Sequence, residues 1–376
     1  MSIRSVTIVG LGLIGGSVAR AARRKNRRTI RAVDPSETSR AFARANGIAD
    51  EVASPDEAQA AGWFAPGASD LVVLGTPVPA TIEWLERLRA LGYDGIVTDV
   101  ASTKQAVAAF ADSLQAPYRF VGGHPMTGSE RSGVEAAAET LFDGAYYILT
   151  PTAHTDTDAY RRVHAFVTSL GARVISIDAT AHDEAVAVVS HVPHVAAAAL
   201  VELASERAES GGADVLRLAA GGFKDTTRVA AGSPELWTSI CLDNADALAS
   251  GIADLERLLE EFRIRVLARD AEAVRAWFER PAEVRRSLPA QWVPETARLT
   301  QLSVPVTDRP GVVGAVTTAA SRAGCNIEDI EIDHRSEASA VLRLVLTDEG
   351  DIDALVRDLA EAGFEPVVSP LEEGAS

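Results

Sequence analysis

Residues 10–15 read GLGLIG and follow directly on the β-branched run Ser5–Val9. The run predicts a strand, the glycines predict a tight turn, and the residues after them predict a helix. Asp34 ends the next predicted strand, about 20 residues further along, where an acid can bind the ribose 2′-hydroxyl of a dinucleotide. Glycines in such a turn let a pyrophosphate approach the N-terminus of the helix. The stretch therefore predicts an α/β, Rossmann-type dinucleotide-binding domain.

The acid at position 34 also bears on which dinucleotide binds. A carboxylate repels a 2′-phosphate, so Asp34 favours NAD over NADP, although Arg31 and neighbouring cations leave NADP open. The segment 75–77, GTP, follows an apolar strand of the same sheet, where we expect it to line the nicotinamide or its ribose. The alternative for that segment is a simple turn. The residues that we expect to bind the cofactor are Gly10, Gly12, Leu13, Ile14, Gly15, Asp34, Thr76 and Pro77.

The composition is that of a soluble globular chain with more than one domain. The chain has 376 residues, of which 47% are hydrophobic and 24% are charged, and this length predicts two or three domains. A net charge of −17 argues against a nucleic-acid partner or an anionic membrane. The sequence has no uninterrupted apolar run of about 18 residues and no signal-peptide pattern, so we expect a cytoplasmic protein without a membrane span.

The pattern of predicted elements changes twice along the chain. Strands alternate with helices as far as residue 178, which predicts parallel βαβ units in a domain over 1–178. Stretches rich in Ala, Val, Leu and Glu then predict an all-helical second domain over 179–286, and prolines with polar neighbours predict a linker over 287–298. The last segment, 299–371, predicts the ferredoxin-like order βαββαβ.

Three polar clusters stand out in this framework. Residues 122–130 read GGHPMTGSE and put His124 in a glycine-rich loop after an apolar strand, where its ring can reach the open edge of the sheet. Residues 190–194 read SHVPH, and Pro193 should kink the helix that contains them. Residues 221–228 read GGFKDTTR, a helix-breaking, cation-bearing segment that predicts an anion site. The alternative for each cluster is a purely structural or surface role.

The histidines of the helical domain raise the question of a metal. His191 and His194 share a helix face, and His182 lies about two to three turns earlier. No carboxylate has a convincing spacing to complete a ligand set, so we expect no metal.

The motifs GLGLIGGS, GTPV, DVASTK, GGHPMTGSE, SHVPH and GGFKDTTR occur in this order along the chain. In this order they resemble the prephenate/arogenate dehydrogenase family of tyrosine biosynthesis, over roughly residues 4–285. The C-terminal motif DRPG, at 308–311, together with its βαββαβ context resembles an ACT domain, a module that binds amino acids between paired copies.

The first resemblance implies the oxidative decarboxylation of a cyclohexadienol, in which NAD takes a hydride from the carbon that bears the 4-hydroxyl and the ring carboxylate leaves as CO₂. It implies that neutral His124 accepts the hydroxyl proton. It also implies that Ser102 hydrogen-bonds near that hydroxyl and the nicotinamide, and that Arg228, from the other domain, binds a substrate carboxylate. The further residues that it implies around the substrate are His194, Gly222, Trp237, His182 and Glu130.

The ACT resemblance implies feedback control by an aromatic amino acid, with tyrosine, the product of the pathway, as the natural candidate. A structural or dimerising role is the alternative. Helical domains of this family and ACT modules both pair, so we expect a homodimer or a higher homo-oligomer. The residues implied to bind the effector are Asp308, Arg309, Pro310, Gly311, Asn326 and Ile327.

Three other functions stay open on the sequence alone. Nothing in the motifs separates the pyruvyl side chain of prephenate from the alanyl side chain of arogenate, so an arogenate or dual-specificity cyclohexadienyl dehydrogenase is the nearest alternative. A 3-hydroxyacid dehydrogenase shares the architecture, and its catalytic lysine in the helical domain could only be Lys224. A non-catalytic amino-acid sensor would use the NAD and ACT sites for binding alone.

Overall fold

The protein is described here by a computed structural model, which divides into two compact units. The first unit holds residues 1–183, 232–243 and 300–376, and the second holds 184–231 and 244–299. The C-terminal segment thus belongs to the same compact unit as the dinucleotide-binding segment. The predicted linker lies, except for Ser287, outside the described residues. The structure describes residues 3–25, 28–128, 131–210, 215–287, 300–307, 310–336, 339–347 and 350–370.

The first unit is built on an eight-stranded sheet with the strand order β3-β2-β1-β4-β5-β6-β7-β8. Helices connect most of its strands, which confirms the predicted Rossmann-type α/β class. Its elements are β1 Ser5–Val9, α1 Leu13–Lys25, β2 Thr29–Val33, α2 Glu37–Ala45, β3 Glu51–Ala53, α3 Pro55–Ala60, β4 Leu71–Leu74, α4 Val78–Ala90, β5 Ile96–Asp99, α5 Gln105–Ser113, β6 Arg119–Pro125, β7 Tyr146–Thr150, α6 Thr157–Ser169 and β8 Arg173–Ser176.

The sheet is apolar at its centre because both of its faces are covered. Strands β4 and β5 are buried at every residue, as is typical of parallel strands between two layers of helices. Helix α1 begins directly after the glycine turn. Helix α6 begins after Asp156, whose side chain accepts a hydrogen bond from the backbone N–H of Ala159, so this end of the helix is capped.

Strand β7 departs from the parallel pattern that the sequence predicts. It runs antiparallel to β6 but parallel to β8. A parallel return requires a crossover connection, usually a helix over the sheet face. The described part of the segment between β6 and β7 contains only the short 3₁₀ turn Val134–Ala136. The prediction of an all-parallel sheet is therefore wrong at β7.

A series of helices follows residue 178: α7 Ala179–Val186, α8 Val192–Glu209, α9 Gly221–Thr227, α10 Pro234–Asp243, α11 Ala245–Leu267 and α12 Ala271–Ser287. A π-helical turn, Ala187–His191, joins α7 to α8 directly before Pro193. This turn is the helix irregularity expected for the SHVPH motif, because Pro193 has no N–H to donate to the helix.

The segment 221–228 is predicted to break the helices around it, and this prediction is wrong. Helix α9 covers Gly221–Thr227, and a 3₁₀ turn begins at Arg228. The hydroxyl of Thr227 donates to the carbonyl of Phe223 within the helix, at 2.7 Å. Each glycine costs a helix only about 1 kcal/mol relative to alanine, so two of them at the start of α9 are tolerated.

Among the residues that the structure describes, one helical stretch, Ala179–Glu209, meets the length and hydropathy of a membrane span. By length and composition alone it could cross a membrane, and 28% of its most apolar window is buried. One such helix is weak evidence for a membrane span, because the core helix of a soluble protein has the same length and composition. The large apolar side chains that it exposes are Val188, Val189, Leu200, Val201 and Leu203.

The C-terminal segment has the predicted order βαββαβ, which is thereby confirmed. Its sheet order is β10-β11-β9-β12, with antiparallel neighbours. Buried and more exposed residues alternate along β9 and β11, as in a sheet with helices on one face. The elements are β9 Thr300–Thr307, α13 Val312–Arg322, β10 Ile327–Ser336, β11 Ser339–Leu346, α14 Ile352–Glu361 and β12 Val367–Pro370.

Helix α13 packs with its backbone directly against the loop that follows β7. The N–H of Gly311 donates to the carbonyl of Thr155 at 2.7 Å. A Cβ on Gly311 would lie 1.8 Å from the carbonyl oxygen of Ala153, and a Cβ on Gly314 would lie 2.1 Å from that of Thr152. Only glycine allows this approach, since any side chain would displace the loop.

Candidate active site

The glycine turn after β1 has no space for side chains on its protein side. A Cβ on Gly10 would lie 2.5 Å from the carbonyl oxygen of Gly75, and a Cβ on Gly15 would lie 2.0 Å from that of Gly10. At Gly12, in contrast, no protein atom lies within 4 Å of the Cβ position. Gly12 therefore borders open space beside the N-terminus of α1, where this fold binds a pyrophosphate. The residues present fit a dinucleotide.

Asp34 lies directly after β2 and is buried. Its Oδ2 accepts a hydrogen bond from the N–H of Leu11 at 2.7 Å, and its Oδ1 accepts one from the N–H of Ser36 at 2.8 Å. These bonds hold the carboxylate beside the glycine turn, as ribose binding requires. Arg31 was one of the cations that could have bound the 2′-phosphate of NADP. Its guanidinium instead pairs with Glu51 at 3.0 Å.

The segment after β4 closes the other side of the glycine turn. The N–H of Gly75 donates to the carbonyl of Val9 at 2.7 Å, and the hydroxyls of Thr76 and Thr81 lie 2.9 Å apart. Pro77 is the residue before α4 and is exposed. This places Thr76 and Pro77 at the carboxyl edge of the sheet, next to the turn; their contact with the cofactor stays a prediction.

A buried ion pair joins β5, β6 and the start of α5. The ammonium of Lys104 bonds the carboxylate of Asp99, and it also donates to the carbonyl of Gly123 at 2.8 Å. The other carboxylate oxygen of Asp99 accepts from the N–H of Gly123 at 3.0 Å. Burial lowers the pKa of Lys104, while the charge of Asp99 acts to raise it. The backbone directly before His124 is therefore held by two charged side chains.

His124 lies on strand β6, opposite Ile148 of β7. The expectation of a glycine-rich loop around this histidine is wrong, because the strand extends to Pro125. The glycines before it serve close strand packing: a Cβ on Gly123 would lie 2.8 Å from the carbonyl oxygen of Asp99. His124 is 9% exposed, so its ring is almost enclosed but reaches the surface of the site.

A chain of three side chains runs from His124 into the protein. Nδ1 of His124 lies 2.8 Å from Nε2 of His182, and Nδ1 of His182 lies 2.7 Å from Oδ1 of Asp183. The two rings are nearly perpendicular, at 76°. His182 and Asp183 are 1% and 2% exposed, so this chain is shielded from water. Histidine and carboxylate groups hydrogen-bonded in series are suited to taking up and returning a proton.

Ser102 lies in the segment between β5 and α5 and is partly buried. This segment begins directly after Asp99 and ends at Lys104, so it borders the same edge of the sheet as His124. The predicted contact of Ser102 with a substrate hydroxyl stays a prediction.

The other predicted substrate residues are distributed over both units. Trp237 lies on α10, in the first unit. In the second unit, His194 lies on α8, Gly222 on α9 and Arg228 at the start of the following 3₁₀ turn, and these three elements pack on one another. Burial lowers the pKa of His194, which favours its neutral form. Glu130 lies outside the described residues.

The structure does not join the three histidines of the metal hypothesis. His191 is buried within the second unit, where its Nδ1 lies 3.3 Å from the amide nitrogen of Asn244, whereas His182 bonds Asp183. Among the residues that the structure describes, no group of three or more His, Cys, Asp or Glu side chains is placed to hold a metal ion.

Comparison with known proteins accounts for nearly the whole chain. The family "Prephenate dehydrogenase, nucleotide-binding domain" matches residues 18–176, "Prephenate dehydrogenase, dimerization domain" matches 178–280, and "ACT domain" matches 300–364. A prephenate dehydrogenase of Bacillus subtilis (strain 168) is 34% identical over 92% of this chain and 93% of its own length. The chain belongs to the prephenate dehydrogenase family. The resemblance found in the sequence is thereby confirmed.

Two solved structures extend the comparison. A prephenate dehydrogenase from Aquifex aeolicus in complex with hydroxyphenyl propionate and NAD⁺ has a TM-score of 0.70 and 31% identity, over 76% of this chain and 98% of that one. The Synechocystis arogenate dehydrogenase has a TM-score of 0.63 and 30% identity, over 75% and 99%. As a member of the prephenate dehydrogenase family with the nucleotide-binding domain, this chain is an NAD-dependent dehydrogenase, and the predicted cofactor is confirmed.

The residues predicted to bind an effector lie at two turns of the ACT domain. Gly311 is buried at the start of α13, and Pro310 directly before it is exposed. Asn326 precedes β10, and Ile327 is its buried first residue. Asp308 and Arg309 lie outside the described residues.

Three residues of the site are missing from the sequence prediction: Asp99, Lys104 and Asp183. Asp183 directly follows His182, which is a usable signal because a carboxylate beside a histidine can orient its ring. Lys104 closes the DVASTK motif and is one of three lysines in the chain. Asp99 has only its position at the end of an apolar strand to mark it, a weak signal.

Gly12→Ala tests the cofactor turn without disturbing the fold. The new methyl group meets no protein atom, but it occupies the space assigned to the pyrophosphate. We expect the Kd for NAD to rise about tenfold or more, equivalent to ~1.4 kcal/mol, with an unchanged Tm. Calorimetric titration with NAD and thermal unfolding measure the two quantities.

Gly128→Ala is the matched control, because no atom of the described residues lies within 4 Å of its Cβ position either, and Gly128 lies outside the cofactor turn. We expect this variant to bind NAD like the wild type. Equal affinity of all three proteins would contradict the assigned position of the pyrophosphate.

Proposed function

We propose that this chain catalyses the NAD-dependent oxidative decarboxylation of prephenate to 4-hydroxyphenylpyruvate and CO₂, a step of tyrosine biosynthesis. The observation that carries the proposal is the buried hydrogen bond between His124 and His182 at the edge of the sheet that bears the cofactor turn. The Bacillus subtilis prephenate dehydrogenase, similar over 92% of the chain, supports prephenate as the substrate. The likeness to an arogenate dehydrogenase makes arogenate the second candidate.

His124 acts as the base in this proposal. Its Nδ1 is engaged by His182, so Nε2 is the atom that takes the proton of the substrate's 4-hydroxyl. As this proton leaves, a hydride departs from the carbon that bears the hydroxyl. The ring carboxylate leaves as CO₂, and the electrons of the broken C–C bond complete the aromatic ring. NAD, when bound after β1, supplies the hydride acceptor. A positioned base contributes about 10²–10⁴-fold to such a step.

The proton balance defines a second task for His124. Prephenate and NAD⁺ give 4-hydroxyphenylpyruvate, CO₂ and NADH with no net release or uptake of a proton. The proton that His124 takes from the hydroxyl therefore returns to the phenolate oxygen that aromatisation creates. Ser102 would hydrogen-bond the same oxygen, and this contact holds it in place through both transfers.

Arg228 supplies the charge that an anionic substrate requires. Prephenate carries two carboxylates, and a charge-assisted hydrogen bond from a guanidinium to one of them is worth about 1.5–3 kcal/mol. The helices that carry His194, Gly222 and Arg228 pack together in the second unit, which supports a shared role in holding the substrate. We assign Trp237 to the substrate ring and Glu130 to access.

The proposal is tested by mixing the protein and NAD with prephenate or with arogenate and following NADH absorbance. We expect NADH and 4-hydroxyphenylpyruvate from prephenate, with the larger kcat/KM of the two substrates. In His124→Asn, kcat should fall by about 10²–10⁴-fold while KM changes little. A larger kcat/KM for arogenate would establish the second candidate, and no NADH with either acid would contradict the function.

Arg228→Ala tests the anion site. We expect KM for prephenate to rise about 10- to 100-fold, in line with the loss of a charged hydrogen bond, with a much smaller change in kcat. Lys224→Ala removes a neighbouring exposed cation of α9 and should leave both parameters unchanged. An unchanged KM in Arg228→Ala would refute the assignment, and a collapse of kcat in Lys224→Ala would favour the 3-hydroxyacid dehydrogenase hypothesis.

We infer that two copies of the chain associate through the helical unit. Large exposed apolar patches mark protein interfaces, and the family describes residues 178–280 as its dimerization domain. A second copy would cover side chains that the unit leaves open to water. These side chains include Leu200, Leu203, Leu216, Leu218, Leu258, Leu259, Ile264, Leu267 and Phe278.

We further propose that an aromatic amino acid, with tyrosine as the first candidate, binds the ACT domain and alters turnover. The predicted effector turn ends at Gly311, whose N–H bonds the loop after β7 at Thr155. In the same loop, the hydroxyl of Thr152 donates to Asp112 at the end of α5, at 2.9 Å. A ligand that moves the turn would therefore act on β7, which pairs with the strand of His124, and on α5.

Gly314→Ala tests this coupling. Its methyl group would clash with the carbonyl of Thr152 and separate α13 from the loop. We expect tyrosine to alter prephenate turnover in the wild type and to lose this effect in Gly314→Ala, although calorimetry still detects tyrosine binding. Ala315→Ser, on an exposed position of the same helix, is the control and should behave like the wild type. An unchanged response of Gly314→Ala would contradict the coupling.

A further inference from the structure

Asp183 is buried beside the histidine pair, and the proposed reaction assigns it no task. We propose that Asp183 is a positioning residue: it determines which nitrogens of His182 and His124 carry protons, and thereby leaves Nε2 of His124 unprotonated, with the lone pair that accepts the substrate proton. This inference rests on the proposed function, since that function makes His124 the base.

Asp183 determines which nitrogen of His182 carries the proton. An ionised carboxylate only accepts hydrogen bonds, so the 2.7 Å contact between Asp183 Oδ1 and His182 Nδ1 requires a proton on that nitrogen. A neutral imidazole carries one proton. Nε2 of His182 therefore has a lone pair and can only accept.

His182 in turn determines which nitrogen of His124 carries the proton. Nδ1 of His124 lies 2.8 Å from the accepting Nε2 of His182, so the proton of neutral His124 lies on its Nδ1. Its Nε2 then has the lone pair that a general base needs. The same ring in the other tautomer would present an N–H to the substrate hydroxyl and could not take its proton.

The position of Asp183 is itself fixed by α5. Its Oδ1 also accepts from the N–H of Lys104 at 2.8 Å, and its Oδ2 accepts from the N–H of Gln105 at 2.9 Å. Both oxygens thus face donors, and both bonds are to rigid backbone at the start of a helix. Only a group with two acceptor atoms satisfies the two amides and His182 together.

Three donors face the two oxygens of Asp183, so both of these oxygens act as acceptors. The ammonium of Lys104 is attracted by Asp183 as well as by its partner Asp99. Burial raises the pKa of Asp243, the hydrogen bond from Ser239 acts to lower it, and the charge of Asp183 adds to the rise.

The substitution Asp183→Asn keeps the shape of this side chain and removes one acceptor. With the new NH₂ group toward Gln105, two donors would face each other and the anchor would weaken. With the NH₂ group toward His182, Nδ1 of His182 would have to accept, its Nε2 would carry the proton, and the ring of His124 would be driven to the Nε2–H tautomer. The second orientation removes the tautomer of His124 that can act as a base, and the first loosens the anchor that holds the ring of His182.

The kinetic experiment compares Asp183→Asn with Asp178→Asn. We expect kcat with prephenate to fall about 10²-fold or more in Asp183→Asn, within the range that a positioned base contributes, while the Kd for NAD is unchanged. Asp178 is the matched control, because its carboxylate caps α7 through the N–H groups of Thr180 and Ala181, and asparagine caps a helix equally well. Asp178→Asn should keep the kcat of the wild type.

The spectroscopic experiment separates positioning from structure. ¹⁵N-histidine labelling and NMR report which ring nitrogen is protonated, and the His124 signals are those that His124→Asn removes from the seven histidines. We expect protonated Nδ1 and unprotonated Nε2 for His124 in the wild type. In Asp183→Asn we expect a loss of this pattern.

A wild-type His124 protonated at Nε2 would overturn the inference even if Asp183→Asn failed to fold, and so would an unchanged His124 pattern in a folded Asp183→Asn of low kcat. Because the tautomer is read without substrate, it remains measurable if neither cyclohexadienyl acid is turned over. In that case the proposed function fails separately from the hydrogen-bond pattern.

Discussion

The buried ion pair between Lys104 and Asp99 is the interaction on which the site depends. It joins the end of β5 to the start of α5, and through the carbonyl and N–H of Gly123 it also holds β6 directly before His124. Removing one partner of a buried pair leaves an uncompensated charge and costs about 3–5 kcal/mol. The pair contributes no group to the chemistry, yet the register of β6 and the start of α5 both follow from it.

Helix α5 makes contacts at both of its ends. At its start, the backbone amides of Lys104 and Gln105 bind the carboxylate of Asp183. At its end, Asp112 is bonded by the loop that carries the contact with the C-terminal domain. Helix α5 is therefore continuous with the histidine chain on one side and with the ACT domain on the other.

Much of the fold and part of the site follow from the sequence, and the errors have identifiable causes. The glycine turn, Asp34 and the βαββαβ segment are predictable because each depends on local spacing. The direction of strand β7 is not, because its antiparallel pairing depends on how the segment after β6 returns to the sheet. The prediction for segment 221–228 is wrong because glycine marks a helix end only on average. Packing against neighbouring helices can hold a glycine-containing segment in a helix. A sequence motif identifies His124, but the motif does not predict that His124 lies on strand β6.

The sequence by itself determined the classes of the three segments, the glycine turn and the motif that contains the proposed base, since glycine spacing, apolar periodicity and ordered motifs act over a few residues. Only the tertiary structure decided how that base is held. His124, His182 and Asp183 come together from the end of β6 and the start of α7, although the two histidines are 58 positions apart in the chain, and the anchor of Asp183 comes from a third element. Hydrogen bonds of this kind depend on atoms within about 3 Å of one another, and no local pattern encodes which distant segments will meet at that distance.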